Sequence, residues 1–214
     1  MSDTLTPDEI AALFTRADGE FLFARWGRPI VPVVFGTEDA TLSVIKGAVE
    51  AVVALSGHQM AETDPELGAN LMLFFFRDWQ ELPEVPGLDR LIPDLGPLVA
   101  KLEAAEANQY RIFRFDTEGA IRACFVFLRM DAHLSAVPAE TLALSQIVQS
   151  MVLWSDRAFQ DRSALAVLPG GDVVLRPEIG ALIRAGYDPV LPPVSQDASH
   201  ALRLAARIGQ AGAH

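Results

Sequence analysis

Apolar residues recur at two periods along this chain, and the switches between them mark out its elements. Thr6-Pro7-Asp8-Glu9 is a capping box with proline in the first turn, and Ile10, Leu13 and Phe14 follow at helical spacing. This predicts a short helix within a peripheral arm over residues 1–24. Residues 28–35 are rich in β-branched side chains and predict a strand, which Pro29 and Pro32 confine to a sheet edge. Leu42, Ile45, Val49, Val52 and Val53 then recur at helical spacing up to Gly57, predicting a helix over 42–55. Residues 70–76 are apolar at successive positions, the pattern of a strand covered on both faces and central in its sheet.

Residues 81–96 carry Pro83, Pro86, Pro93 and Gly96, which predicts a loop with a short helix, inserted over one face, and 97–107 predicts a further helix. Alternation over 110–115 and 120–129, across Asp116-Thr117-Glu118-Gly119, predicts a hairpin. Leu142, Ile147, Val148, Met151 and Val152 give the clearest helical stripe, over 138–153. A loop over 155–172 and two C-terminal helices, 177–185 and 197–209, complete the chain. The order is β-α-β, then a hairpin, then helices. It predicts an α+β fold: a mixed sheet with helices packed on one side, in a single domain over 25–214.

Composition narrows the partners. The 214 residues suit one domain, half of them are hydrophobic, and the net charge is −11. The 17 Lys and Arg are scattered, which argues against nucleic acid and against an anionic membrane surface. The longest apolar runs, 71–76 and 123–128, are far short of the roughly 20 residues of a membrane span. The start of the chain has no basic segment followed by an apolar one, so a cytoplasmic protein is expected. The lone Cys124 sits in an apolar run and reads as a buried strand residue.

Candidate chemistry is sparse. His58, His133, His200 and His214 show no metal-ligand spacing, and neither His-Glu-x-x-His nor Cys-x-x-Cys occurs. His58, after Gly57, reads as a solvated or capping group at a helix end, and His133 as a turn residue. Leu168-Pro169-Gly170-Gly171-Asp172 lacks the frame of a phosphate loop and reads as a tight turn. Asp156, Asp161 and Asp172 lack the spacing of a calcium loop. Trp26, between Arg25 and Arg28, reads either as a core anchor or as an exposed recognition residue.

Three segments carry a resemblance to a family. They are Arg25-Trp26-Gly27-Arg28-Pro29-Ile30, Gln149-Ser150-Met151-Val152-Leu153-Trp154-Ser155-Asp156, and Ile183-Arg184-Ala185-Gly186-Tyr187-Asp188-Pro189-Val190-Leu191. The second is similar to Gln-Ala-Leu-Gly-Leu-Pro-Asn-Asp and the third to Leu-Leu-Arg-Ala-Leu-Tyr-Asp-Pro-Arg-Leu. On these residues the chain resembles an uncharacterised bacterial family of zincin-like metallopeptidases, from about Arg25 to Arg207. That resemblance implies a zincin-like fold with a His-Glu pair about five residues before Gln149, the His binding zinc and the Glu acting as base. This chain has Leu144, Ser145 and Gln146 there, and no His or Glu from Thr141 to Leu153.

The resemblance therefore implies a non-catalytic protein with no metal and no cofactor. Its cleft would be lined by Ser145, Gln146, Gln149, Trp154 and Asp156 and would hold a peptide, a protein or a small ligand. One alternative is a metal-independent hydrolase using Ser145, Gln146, Asp156 and Asp161. Another is an accessory subunit that docks through Phe21, Phe23 and Trp26. Oligomeric state is left open.

Overall fold

The computed structural model describes residues 4–211. In chain order the elements are α1 (Pro7–Phe14), β1 (Phe23–Ala24), β2 (Pro32–Phe35), α2 (Asp39–Ser56), β3 (Leu71–Phe76) and a 3-10 turn (Trp79–Glu84). Then follow α3 (Leu88–Leu91), α4 (Leu95–Ala104), β4 (Gln109–Phe115), β5 (Ile121–Arg129) and α5 (Ala139–Met151). Last come β6 (Leu165–Val167), β7 (Val173–Leu175), α6 (Pro177–Gly186), β8 (Val194–Ser195) and α7 (His200–Ala211). The fold is α+β around a mixed four-stranded sheet in the order β2-β3-β5-β4, with β4 antiparallel and the other three parallel.

The two central strands explain the apolar runs. Leu71 pairs with Cys124 and Leu73 with Val126 on one face, while Met72 pairs with Phe125 and Phe74 with Phe127 on the other. Both faces are buried, so every position must be apolar. β2 is an edge strand that begins at Pro32, where a missing ladder donor costs least. Gly36 ends it with φ +78°, and a Cβ there would lie 2.2 Å from the Phe75 carbonyl oxygen. Only glycine fits that approach. Cys124 is fully buried, as its neighbours imply.

The expected one-sided packing is corrected by the structure. One face meets α1, α2, α5, α6 and α7 through residues such as Ile45, Val49, Ile147, Ile183 and Leu204. The other is covered by the 79–104 stretch, through Trp79, Leu82, Leu88, Leu95, Val99 and Leu102. The proline-rich stretch, read as a loop with a short helix inserted over one face, is thus a second covering layer. Its α4 buries Leu95, Val99 and Leu102 at helical spacing, while the 3-10 turn and α3 are too short to show a stripe.

The N-terminal arm is also corrected. Ile10 and Phe14 of α1 lie in the main core, and β1 pairs antiparallel with β8. An apolar stripe on so short a helix is stable only when packed against something else. The 155–172 loop contains half of a small hairpin, β6 paired with β7, and its turn closes through Leu168 and Asp172 as expected. Among the described residues no helix is long and apolar enough to cross a membrane.

Candidate functional site

The three segments of the resemblance meet at the C-terminal end of α5. Trp26 Nε1 donates to the Ser150 carbonyl at 2.8 Å, and the Tyr187 hydroxyl donates to the Met151 carbonyl at 2.6 Å. The Arg25 guanidinium lies 5.4 Å from the Tyr187 ring centroid, and its Nη2 donates to the Leu191 carbonyl. These bonds satisfy carbonyls that the end of α5 leaves without intrahelical partners. Burial raises the Tyr187 phenol above its ordinary range. The junction holds the end of α5 to the segments around Trp26 and Tyr187, and the buried Arg25 Nε has no partner among the described residues.

Ser145, Gln146 and Gln149 sit one or two turns earlier and form a polar seam with β4. Arg111 Nη2 donates to Gln146 Oε1 at 2.6 Å, and Nη1 reaches Gln149 Oε1 at 3.4 Å. Gln146 Nε2 donates to Gln109 Oε1, and Gln149 Nε2 donates to Ser145 Oγ. Arg111 makes no ion pair among the described residues, and its buried Nε has no partner. A guanidinium is thus held against α5 by neutral amide oxygens. Nearby, burial pushes the Cys124 thiol up to about 12, so it is protonated at neutral pH and no nucleophile.

Ser145 accepts a hydrogen bond from Gln149, and among the described residues no histidine or carboxylate bonds to it. Ser145 and Gln146 do line a cavity of about 270 Å³ beneath the β6–β7 hairpin. Gln149, Trp154 and Asp156 lie outside it.

Trp154 and Asp156 belong to a different place. Trp154 stacks on Phe14, its ring centroid 5.3 Å away and nearly parallel, and Asp156 Oδ1 accepts from the Ala17 amide. Both brace the 156–163 loop against α1. That loop, α1 and the start of α6 enclose the largest cleft described, about 610 Å³. Leu5, Leu13, Phe159 and Ile179 supply its apolar lining, and Arg157, Arg162 and Arg176 its cationic lining. Phe159 has φ +64°, a conformation that side chains other than glycine rarely adopt, and its ring meets Trp154 edge-on at 4.9 Å.

Charges in the cleft are unequally committed. Arg162 pairs with the buried Glu178 at 2.6 Å. Glu9 is bound by the backbone amide and hydroxyl of Thr6, which holds its carboxyl below the usual range. Arg176 is half-buried, and its Nε donates to the Ser163 carbonyl at 2.8 Å. It makes no ion pair among the described residues, so its two Nη groups are free. Asp8, Asp161 and Arg157 are exposed at the rim.

Phe21, Phe23 and Trp26 are corrected as an interface. All three are buried in the main core, and Phe14 packs edge-on against both phenylalanines. The core alternative for Trp26 is the one observed. His58 is partly buried, not solvated: its Nε2 pairs with the Arg28 carbonyl at 2.9 Å. His133 is exposed in a turn, and His214 lies outside the described residues. His200 is fully buried, with its ring 4.7 Å from Phe23 and neither nitrogen partnered. Among the described residues no three His, Cys, Asp or Glu side chains gather where they could share a metal ion.

Sequence reasoning missed the cleft. Its walls come from three separated segments, and the one local signal was the cluster Asp156-Arg157-Ala158-Phe159, where charges flank an aromatic in a loop. Compared with known protein families, with curated proteins and with solved structures, the chain matches none.

Proposed function

We propose that this chain is a non-catalytic binding protein of zincin-like ancestry, and that its working surface is the cleft between α1, the 156–163 loop and α6. The observation that carries the reading is that the strained Phe159 and Arg176, which makes no ion pair among the described residues, line one cleft of about 610 Å³. Backbone strain costs about 1–3 kcal/mol and persists where the surroundings impose it, most often at functional sites. An apolar lining with a few convergent polar groups is the usual make-up of a ligand site. A short peptide or a peptide-like molecule suits this mixture.

The α5 helix supports the non-catalytic part. Leu144 has no donor atom for a metal, and Gln146 is buried and occupied with Arg111. Among the described residues Ser145 has no base bonded to it, which disfavours the metal-independent hydrolase. The purified protein, incubated with a mixture of short peptides and followed by mass spectrometry, tests the reading. Intact peptides retained by the protein are the expected result. Cleaved peptides, no retention, or stoichiometric zinc after purification without chelators would each overturn it.

A further inference from the structure

The cleft of about 610 Å³ carries more than shape, because one of its charges has no ionic partner among the described residues. Of the three guanidiniums in the lining, Arg162 is neutralised by Glu178, and Arg157 stands exposed at the rim where water screens it. Arg176 differs from both. It is half-buried, and its Nε donates to the exposed Ser163 carbonyl at 2.8 Å, which restricts the fork. Part of the ordering entropy of that side chain is thus already spent, so a ligand meeting its Nη groups loses less on binding. Residues at the start of α6 line the cleft beside Arg176, where the helix carries partial positive charge. Of the four acids in the lining, Glu178 and Glu9 have their own partners, and Asp8 and Asp161 are exposed.

We infer that the cleft takes a carboxylate-ended ligand, a peptide with a free C-terminus, whose carboxylate is bound by the Nη groups of Arg176 while its apolar side chains lie against Leu13, Phe159 and Ile179. This rests on the cleft being the binding surface. A planar fork with two free N–H groups matches two carboxylate oxygens, and charge-assisted bonds of this type are about twice as strong as neutral ones. The chain's net charge of −11 opposes anions at long range, so the contact selects by local geometry rather than by general attraction.

Calorimetric titration with N-acetyl-leucyl-phenylalanine and with its C-terminal amide tests the inference on the unaltered protein. The acid is expected to bind more tightly by about tenfold or more, the ratio that one charge-assisted contact supports. In Arg176→Ala that ratio is expected to collapse toward one, and in Arg176→Lys to be partly kept, with thermal melts confirming that each variant is folded. Equal binding of acid and amide by the unaltered protein would overturn the inference and leave the peptide cleft standing. Binding of neither also overturns it. The cleft reading itself is judged separately, by whether the peptide mixture is retained and by where on the protein its binding maps.

Discussion

The indole Nε1 of Trp26 donates to the carbonyl of Ser150 at 2.8 Å, deep in the core and across 124 positions of chain. With Tyr187 on Met151, it ties the end of α5 to elements from both ends of the molecule. Both rings also fill core volume, and only Tyr187→Phe separates the bond from the packing. Tyr187→Phe leaves a buried carbonyl without its donor and is expected to cost about 1–3 kcal/mol; Trp26→Phe loses its bond and also opens a cavity, and is expected to cost more. Urea denaturation measures this. Unchanged midpoints would remove the junction from the account of stability.

Arg111 and Gln146 differ in what their loss exposes. Gln146→Leu leaves a half-buried cation with one long bond to Gln149 and is expected to cost about 1.5–3 kcal/mol, the worth of a hydrogen bond to a charged group. Arg111→Met leaves neutral amide oxygens short of a donor, a loss of about 1–3 kcal/mol. The double variant should recover much of the Gln146→Leu loss, since nothing charged remains buried. Additive losses in a double-mutant cycle would contradict the coupling.

His200 makes stability depend on pH. Burial lowers its proton affinity first, Arg203 lowers it further, and Asp197 opposes them. The folded form therefore binds a proton less readily than the unfolded chain, whose histidine titrates near about 6.5. The contribution is fully present above that pH and is lost as pH falls from there toward the folded value. Neither ring nitrogen has a partner to lose, so His200→Leu should keep or raise stability at pH 7 and flatten its dependence between pH 5 and about 7. Denaturation midpoints across that range check it. An equally steep dependence in the variant would assign the effect elsewhere.

Phe159 separates stability from binding. Phe159→Gly relieves a left-handed conformation worth about 1–3 kcal/mol, and removes an edge-on contact with Trp154 worth about 0.5–1.5 kcal/mol together with the ring's partial burial against the core, at most about 1.5–3 kcal/mol. Stability is expected to hold or fall slightly, while affinity for short peptides falls strongly. Thermal melts and titrations made on the same preparation compare the two. A variant that melts much lower and binds as before would reverse the assignment of strain to function.

Much of the fold was legible because burial on two faces leaves a plain mark. Residues 71–76 have no polar position, and their central place in the sheet followed from that. The prolines of the first strand likewise marked an edge. The 79–104 cover was legible in part: an insertion over one face and a helix after it could be read, and α4 does bury Leu95, Val99 and Leu102 at helical spacing, but the 3-10 turn and α3 bury too few residues to show a stripe. β6 and β7 hold three residues each, too few for alternation to show. The polar face of α5 was visible, yet nothing local shows that Gln146 points at Arg111, 35 positions away, and not at a ligand. Trp154 and Asp156 were placed beside Gln149 by sequence proximity, but Val152 leaves the helix in extended backbone and carries them toward α1. The cleft needed the packing of α1, which as a peripheral arm would have formed no wall.

The central claim is the location of the binding surface. Amide chemical-shift mapping, with short peptides added to the isotope-labelled protein, tests it most directly. Shifts concentrated at Leu13, Ala158, Phe159 and Ile179, with the Trp154 indole responding beside them, are the predicted result. Shifts concentrated instead at Gln109, Ser145 and Val173, around the smaller cavity beneath the β6–β7 hairpin, would contradict it.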